Sequence, residues 1–126
     1  MTGSIISEEL RNRLRGCRQT ADREYRCEVK FDPAFRGFEG HFEGNPIVPG
    51  VCMIELARVH AEKVLGKSLY VEEISQCRFR SLIPAGMNAD CKLLILELDD
   101  AQAKIQEEIR IEGNIACQVR LKGRIA

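Results

Sequence analysis

A chain of 126 residues with 44% hydrophobic and 30% charged side chains has room for one compact core and little beyond it. Nineteen Lys and Arg balance nineteen Asp and Glu, which argues against nucleic-acid binding through net charge and leaves only a local basic patch open. No stretch approaches the roughly twenty apolar residues of a membrane span, Met1 to Ser7 lacks the pattern of an export signal, and the six cysteines show no Cys-x-x-Cys spacing. The expectation is therefore a cytoplasmic protein with no membrane span, disulfide framework or metal site.

Taken in chain order, Ser7 to Arg15 reads as a short helix capped by Ser7, with Leu10 and Leu14 on one side. Residues 1–23 are thus expected to form a helical extension of a single domain over 1–126. Tyr25, Cys27, Val29 and Phe31 alternate with Arg26, Glu28 and Lys30, the period of a half-buried strand. Three glycines and two prolines between Ala34 and Pro49 bar regular structure and predict a shaped loop. Beyond Pro49, apolar residues recur at helical spacing from Val51 to Leu65, and Gly66 closes the run. The first half of this helix, apolar on nearly every side except at Glu55, should be wrapped by sheet, and the second half, with Arg58, His60, Glu62 and Lys63, should reach water.

Strands are expected at Leu69 to Phe79, Ala89 to Leu98, Ala103 to Glu112 and Ala116 to Leu121. If Ile109, Ile111, Cys117, Val119 and Leu121 all face inward, paired residues of the last hairpin sum to an even number. That parity favours a three-residue loop with a glycine bulge, places Glu108 opposite Arg120, and turns Glu107 inward with no partner in view. Leu94, Leu96 and Leu98 add a second apolar face that predicts an oligomer.

Three features carry chemistry. Glu55 is a carboxylate in the most apolar part of the helix, where desolvation would raise its pKa toward that of a general acid; equally, it is placed for an i,i+3 ion pair with Arg58. His41 lies in the glycine-proline loop, either as a base or as a loop histidine with a backbone partner. Pro49-Gly50 starts the helix, so the Gly50 N–H can face a developing oxyanion, and Glu55 lies roughly 7.5 Å further along the axis. Cys52, near the same helix end, raises the alternative of a covalent thioesterase.

The segment Gly40-His41-Phe42-Glu43-Gly44-Asn45-Pro46-Ile47-Val48-Pro49-Gly50-Val51-Cys52-Met53-Ile54-Glu55 resembles the signature of the 3-hydroxyacyl-[acyl-carrier-protein] dehydratases of bacterial fatty-acid synthesis. That family has His-Phe-Pro-Gly-x-Pro-x-x-Pro-Gly-Val with a catalytic acid fourteen residues after the His, and here 55 − 41 = 14. A second stretch, Arg78-Phe79-Arg80 to Pro84-Ala85-Gly86, is similar to the family's Phe-(Lys/Arg)-Arg-Pro-x-x-Pro-Gly-Asp. The resemblance implies an α+β hot-dog fold, an antiparallel sheet wrapped around one long helix, working as a homodimer or higher oligomer without metal or organic cofactor. It further implies His41 as the base at C2, Glu55 as the acid at the C3 hydroxyl, and Gly50 as oxyanion donor, with Phe42, Pro49 and Val51 lining the substrate. The substrate would be a thioester of acyl carrier protein or coenzyme A, and Arg78 and Arg80 are candidates for docking the carrier.

The segment departs from the family at Glu43, in place of proline, at Val59, where the family often has Gln, and at Met87, in place of aspartate. These departures keep open a hot-dog thioesterase and a non-catalytic acyl-binding protein, since fold does not decide chemistry.

Overall fold

The computed structural model describes residues 5–38 and 47–126. Ile5–Arg13 forms helix α1, Leu14–Ala21 strand β1 and Glu24–Lys30 strand β2, followed by a 3-10 turn at Arg36–Phe38. Helix α2 spans Gly50–Leu65, and strands β3, β4, β5 and β6 span Leu69–Phe79, Asn88–Leu98, Gln102–Ile111 and Asn114–Ile125. All neighbours are antiparallel, in the order β1-β2-β4-β5-β6-β3. Helix α2 packs on β3 to β6 and α1 packs on α2, which is the α+β hot-dog arrangement.

The local chemistry explains why α2 starts and stops where it does. Pro49 is its N-cap, held extended at φ −63° and ψ 146°. Gly66 ends it in the left-handed region at φ 69°, donating its N–H to the Glu62 carbonyl at 2.8 Å. Cys52, Met53, Leu56, Ala57, Val59 and Ala61 are buried along it. They meet the alternate residues of the strands, and one rung of the sheet runs Cys27, Cys91, Ile109, Cys117 across four strands, all buried.

Three expectations are corrected. Residues 14–21 are not helical but form β1, whose residues after Leu14 are all exposed; with no buried face the strand carries no apolar alternation to announce it. Ser7 is not a cap but a buried residue inside α1. The second half of α2 does not simply reach water, because Arg58 and His60 are buried; both have acidic partners, which makes their burial tolerable.

The last hairpin keeps the inferred parity by another route. Its turn is the two-residue Glu112-Gly113, both at positive φ (51° and 82°), with Ile111 opposite Asn114. A bulge at Ala116 then restores the even sum, pairing Ile109 with Cys117, Glu108 with Gln118 and Gln106 with Arg120. Glu108 therefore does not face Arg120, which instead donates to the Gln106 side chain at 3.0 Å. On the outer face Leu94 is half-buried, and the expected run of Leu94, Leu96 and Leu98 on one face is corrected: a bulge between Ile95 and Glu97 turns Leu98, 48% exposed, to the face of its partner, the buried Ala103.

Candidate active site

The start of α2 is fixed from outside the helix. The Val48 N–H donates to the Ile83 carbonyl at 2.8 Å and Ile47 bridges to Pro84, so the chain entering the helix lies on the segment that follows β3. That segment turns at Gly86, φ +89°, whose N–H donates to the Phe31 carbonyl, while the Phe31 N–H donates to that of Met87. Thus the residue that departs from the resemblance at position 87 contributes its backbone, and Gly86 supplies the left-handed turn.

As first residue of α2, Gly50 has an N–H that no helical carbonyl can take. The Phe79 ring lies over it: a Cβ at position 50 would meet Phe79 Cζ at 2.8 Å. Arg78 and Arg80, on either side of Phe79, are exposed, and the strand's alternation turns Arg78, opposite Gln118, to the other face of the sheet from Phe79. Among the described residues neither forms an ion pair with Glu72 or Glu73; Arg80 reaches only the Gln118 side chain, at 3.5 Å. Val51 is 71% exposed at the same mouth. His41 and Phe42, with the departing Glu43, lie outside the described residues.

Glu55 sits one and a half turns into α2, half-buried, and its surroundings were only partly foreseen. Its Oε1 accepts hydrogen bonds from Ser7 Oγ of α1 at 2.6 Å and from Arg58 Nε at 2.9 Å, with a second Arg58 nitrogen also in contact. Arg58 in turn pairs with Glu62 Oε2 at 2.7 Å, and Arg11 of α1 with Glu62 Oε1 at 2.8 Å. The i,i+3,i+7 spacing of Glu55, Arg58 and Glu62 puts them on one helix face. Burial alone would raise the Glu55 pKa, but the Arg58 and Ser7 hydrogen bonds outweigh it and hold the carboxyl below its ordinary value. The expectation of a raised pKa is corrected, and the reason is the pair of donors that the burial brings with it, Arg58 on the same helix face and Ser7 on α1. A hollow of about 270 Å³ adjoins Glu55, walled by Ile54, Arg58, Leu69, Tyr70, Val71 and Ile74. A larger, open hollow of about 710 Å³ lies at the other end of α2, around Lys63 and Lys67, and contains none of the expected site residues.

Cys52 is buried, and desolvation, with the nearby Glu55 carboxylate, pushes its thiol up to about 11. That opposes the thiolate a covalent thioesterase would need.

A second polar cluster lies on the opposite side of α2. His60 Nδ1 is 2.8 Å from Glu107 Oε2 and both side chains are fully buried. Glu107 is the inward carboxylate that strand parity had flagged, and the basic residue it required is His60. Burial would lower the His60 pKa, but Glu107 overrides that and pushes it up to about 10. No group of three or more metal-type ligands occurs among the described residues.

Comparison with known proteins places this architecture. The profile of the ApeI-like family, described as ApeI dehydratase, matches residues 17–119. The 3-hydroxyacyl-[acyl-carrier-protein] dehydratase FabZ of Lactobacillus helveticus is 33% identical over 91 residues, covering 67% of this chain and 62% of that protein. The FabZ of Caldicellulosiruptor saccharolyticus is 30% identical over 91 residues, covering 67% and 65%. The chain spans a little under two thirds of the length of these curated relatives. Among solved structures, the dehydratase heterocomplex ApeI:P from Xenorhabdus doucetiae aligns with a TM-score of 0.72 at 21% identity, over 88% of this chain and 96% of that one. The E. coli PaaI protein aligns at 0.68 and 12% identity, over 94% and 86%. The structural likenesses establish the fold, and the profile match across most of the sequence, on a chain whose helix start and acidic residue keep the spacing of the signature, makes this protein a member of the ApeI-like dehydratase family.

Proposed function

We propose that the protein removes water from a 3-hydroxyacyl thioester to give the trans-2-enoyl thioester. The observation that carries this reading is the pairing, on one helix, of a free-standing N-terminal N–H at Gly50 with a half-buried carboxylate at Glu55 beside an apolar hollow. His41 takes a proton from C2, and the electron pair moves onto the thioester oxygen, where the Gly50 N–H meets the developing charge. As the pair returns to form the C2–C3 double bond, the C3–O bond breaks and Glu55 protonates the departing hydroxyl. Pro49, Val51 and Phe42 line the thioester end of the site.

The substrate is carried by acyl carrier protein, docked by Arg78 and Arg80, and the enzyme works in the cytoplasm on fatty or related acyl chains. Its working form is a homodimer or higher oligomer, supported by the apolar side chains Tyr70, Ile74 and Phe79 left exposed on edge strand β3. The test is incubation with 3-hydroxyacyl and 2-enoyl thioesters of several chain lengths on carrier protein and on coenzyme A, followed by mass. Loss or gain of one water is expected. Free acid would establish a thioesterase instead, and no turnover an acyl-binding protein.

A further inference from the structure

We propose that Ser7 and Arg58 are positioning residues for Glu55, together gripping Oε1 so that Oε2 is the oxygen that exchanges a proton with the substrate. The proposal rests on the reading of Glu55 as the acid of the dehydration. Three features carry it. First, the donors converge on one oxygen: Ser7 Oγ at 2.6 Å, Arg58 Nε at 2.9 Å and the second Arg58 nitrogen all reach Oε1. Two donors from one guanidinium and a third from another helix fix the carboxylate plane as well as its place.

Second, the grip is itself held. Arg58 is 2% exposed and its Nη1 is bound by Glu62 Oε2 at 2.7 Å. Glu62 also accepts the Leu69 N–H at 2.8 Å and the Arg11 guanidinium, so α1, α2 and the start of β3 are joined through one charged network. Third, Ser7 lies in a segment outside the 17–119 family match, and the residue at which relatives of the resembling family often have Gln is here the fully buried Val59. The work of orienting the acid falls to a residue of α1 and to the preceding position on α2, Arg58.

Among the described residues, the groups facing Glu55 are Arg58 and Cys52 on its own helix, Ser7 on α1 and Tyr70 across the hollow on β3; Arg11 acts on it through Glu62, and the charge of the amino terminus also lowers it. The active form of the His41 and Glu55 pair carries one proton, on Glu55 before dehydration and on His41 after it; the Arg58 and Ser7 donors, in holding Glu55 below its ordinary value, disfavour the first arrangement in exchange for its fixed geometry. Protonating both stops the cycle, so the acid limb of the pH profile reports the pair's lower titration, governed by Glu55. Donors to a carboxylate lower that titration, and removing one raises it.

The experiment compares S7A, S7T, R58K and E55Q in the full chain, measuring kcat, KM and the pH profile of kcat/KM on a 3-hydroxyacyl thioester. S7A is expected to lower kcat about tenfold with KM changed less than about twofold, and to move the acid limb to higher pH. S7T, which restores a hydroxyl, should return both. R58K, which keeps the charge but loses the two-nitrogen grip, should move the limb as S7A does, and decides the matter if S7A fails to fold. A folded S7A, or in its place R58K, with the parent's kcat and acid limb overturns the proposal, as does an S7T no better than S7A. An active E55Q would instead remove the reading of Glu55 on which the proposal rests.

Discussion

His60 of the central helix and Glu107 of β5 meet at 2.8 Å in the interior, each with no exposed side-chain surface. Removing one partner leaves the other a buried group without compensation. His60→Ala should therefore destabilise the fold by about 3–5 kcal/mol, whereas replacing both by leucine should recover most of the loss. Equal losses in the single and double variants, by chemical denaturation, would show that the pair contributes by shape alone.

The same pair gives stability a pH slope. His60 is raised to about 10 in the fold from an ordinary 6.5, so its contribution is complete below about 6.5 and is lost as pH rises through 10. Glu107 is raised by burial to about 7 from 4.5, so its ionisation costs stability between those values. Both act in one direction, opposed in part by the Cys27 thiol, which Cys91 and His60 lower to about 6 in the fold from an ordinary 9.0. The melting temperature should fall from mildly acidic to alkaline pH, and the double leucine variant should lose most of this slope.

At the site itself, His41→Ala and Glu55→Gln should each lower the rates of dehydration and hydration by about 100-fold or more while melting as the parent does. Near-normal turnover in either removes that residue from the mechanism.

Gly50 allows the oxyanion donor to be separated from steric fit. Gly50→Ala and Gly50→Pro both add a Cβ against Phe79, but only proline deletes the N–H, at a first helical position where proline is tolerated. Pro49 is already extended, as a residue before proline must be. The proline variant should lose a further 100-fold or so in kcat relative to alanine. Parity between the two would mean that another group holds the thioester oxygen.

Charge reversal at Arg78 and Arg80 should weaken use of a carrier-linked substrate, more so at low salt, and spare a short pantetheine thioester. Equal losses on both substrates would assign these arginines to the shape of the site.

Placing a charge in the exposed edge strand with Ile74→Lys should shift the protein toward monomer in sedimentation. If the site is shared between copies, mixing His41→Ala with Glu55→Gln subunits should restore part of the activity. An unchanged assembly in the Ile74 variant would place the contact elsewhere.

What was legible in the sequence follows from where periodicity exists. Strands β4 and β5 and the bounds of α2 could be read because buried faces impose a period and Pro49 and Gly66 punctuate it. Strand β1 could not, since a strand with no buried face past Leu14 leaves no pattern. Glu107 was the informative failure: parity turned it inward and its partner lay on a helix face expected to be wet. Had the inward carboxylate been taken as a demand for a base, His60, between buried Val59 and Ala61, was the residue to supply it. The i,i+3 pairing of Glu55 with Arg58 was visible in the spacing, but the Ser7 hydroxyl, 48 residues away in sequence, left no signal of any period.

The two margins of the sheet are unlike. Strand β1 closes one side with Arg15 and Arg18 exposed and Gly16 at φ +62°, devices that discourage another strand from adding there. Strand β3 closes the other with Tyr70, Ile74 and Phe79 uncovered. If copies of the protein join through β3, unlike margins prevent them from polymerising edge to edge. Any joining through β3 consumes that margin in both copies and is complete at a two-fold pair, so the fold carries its own safeguard against growing into a fibre.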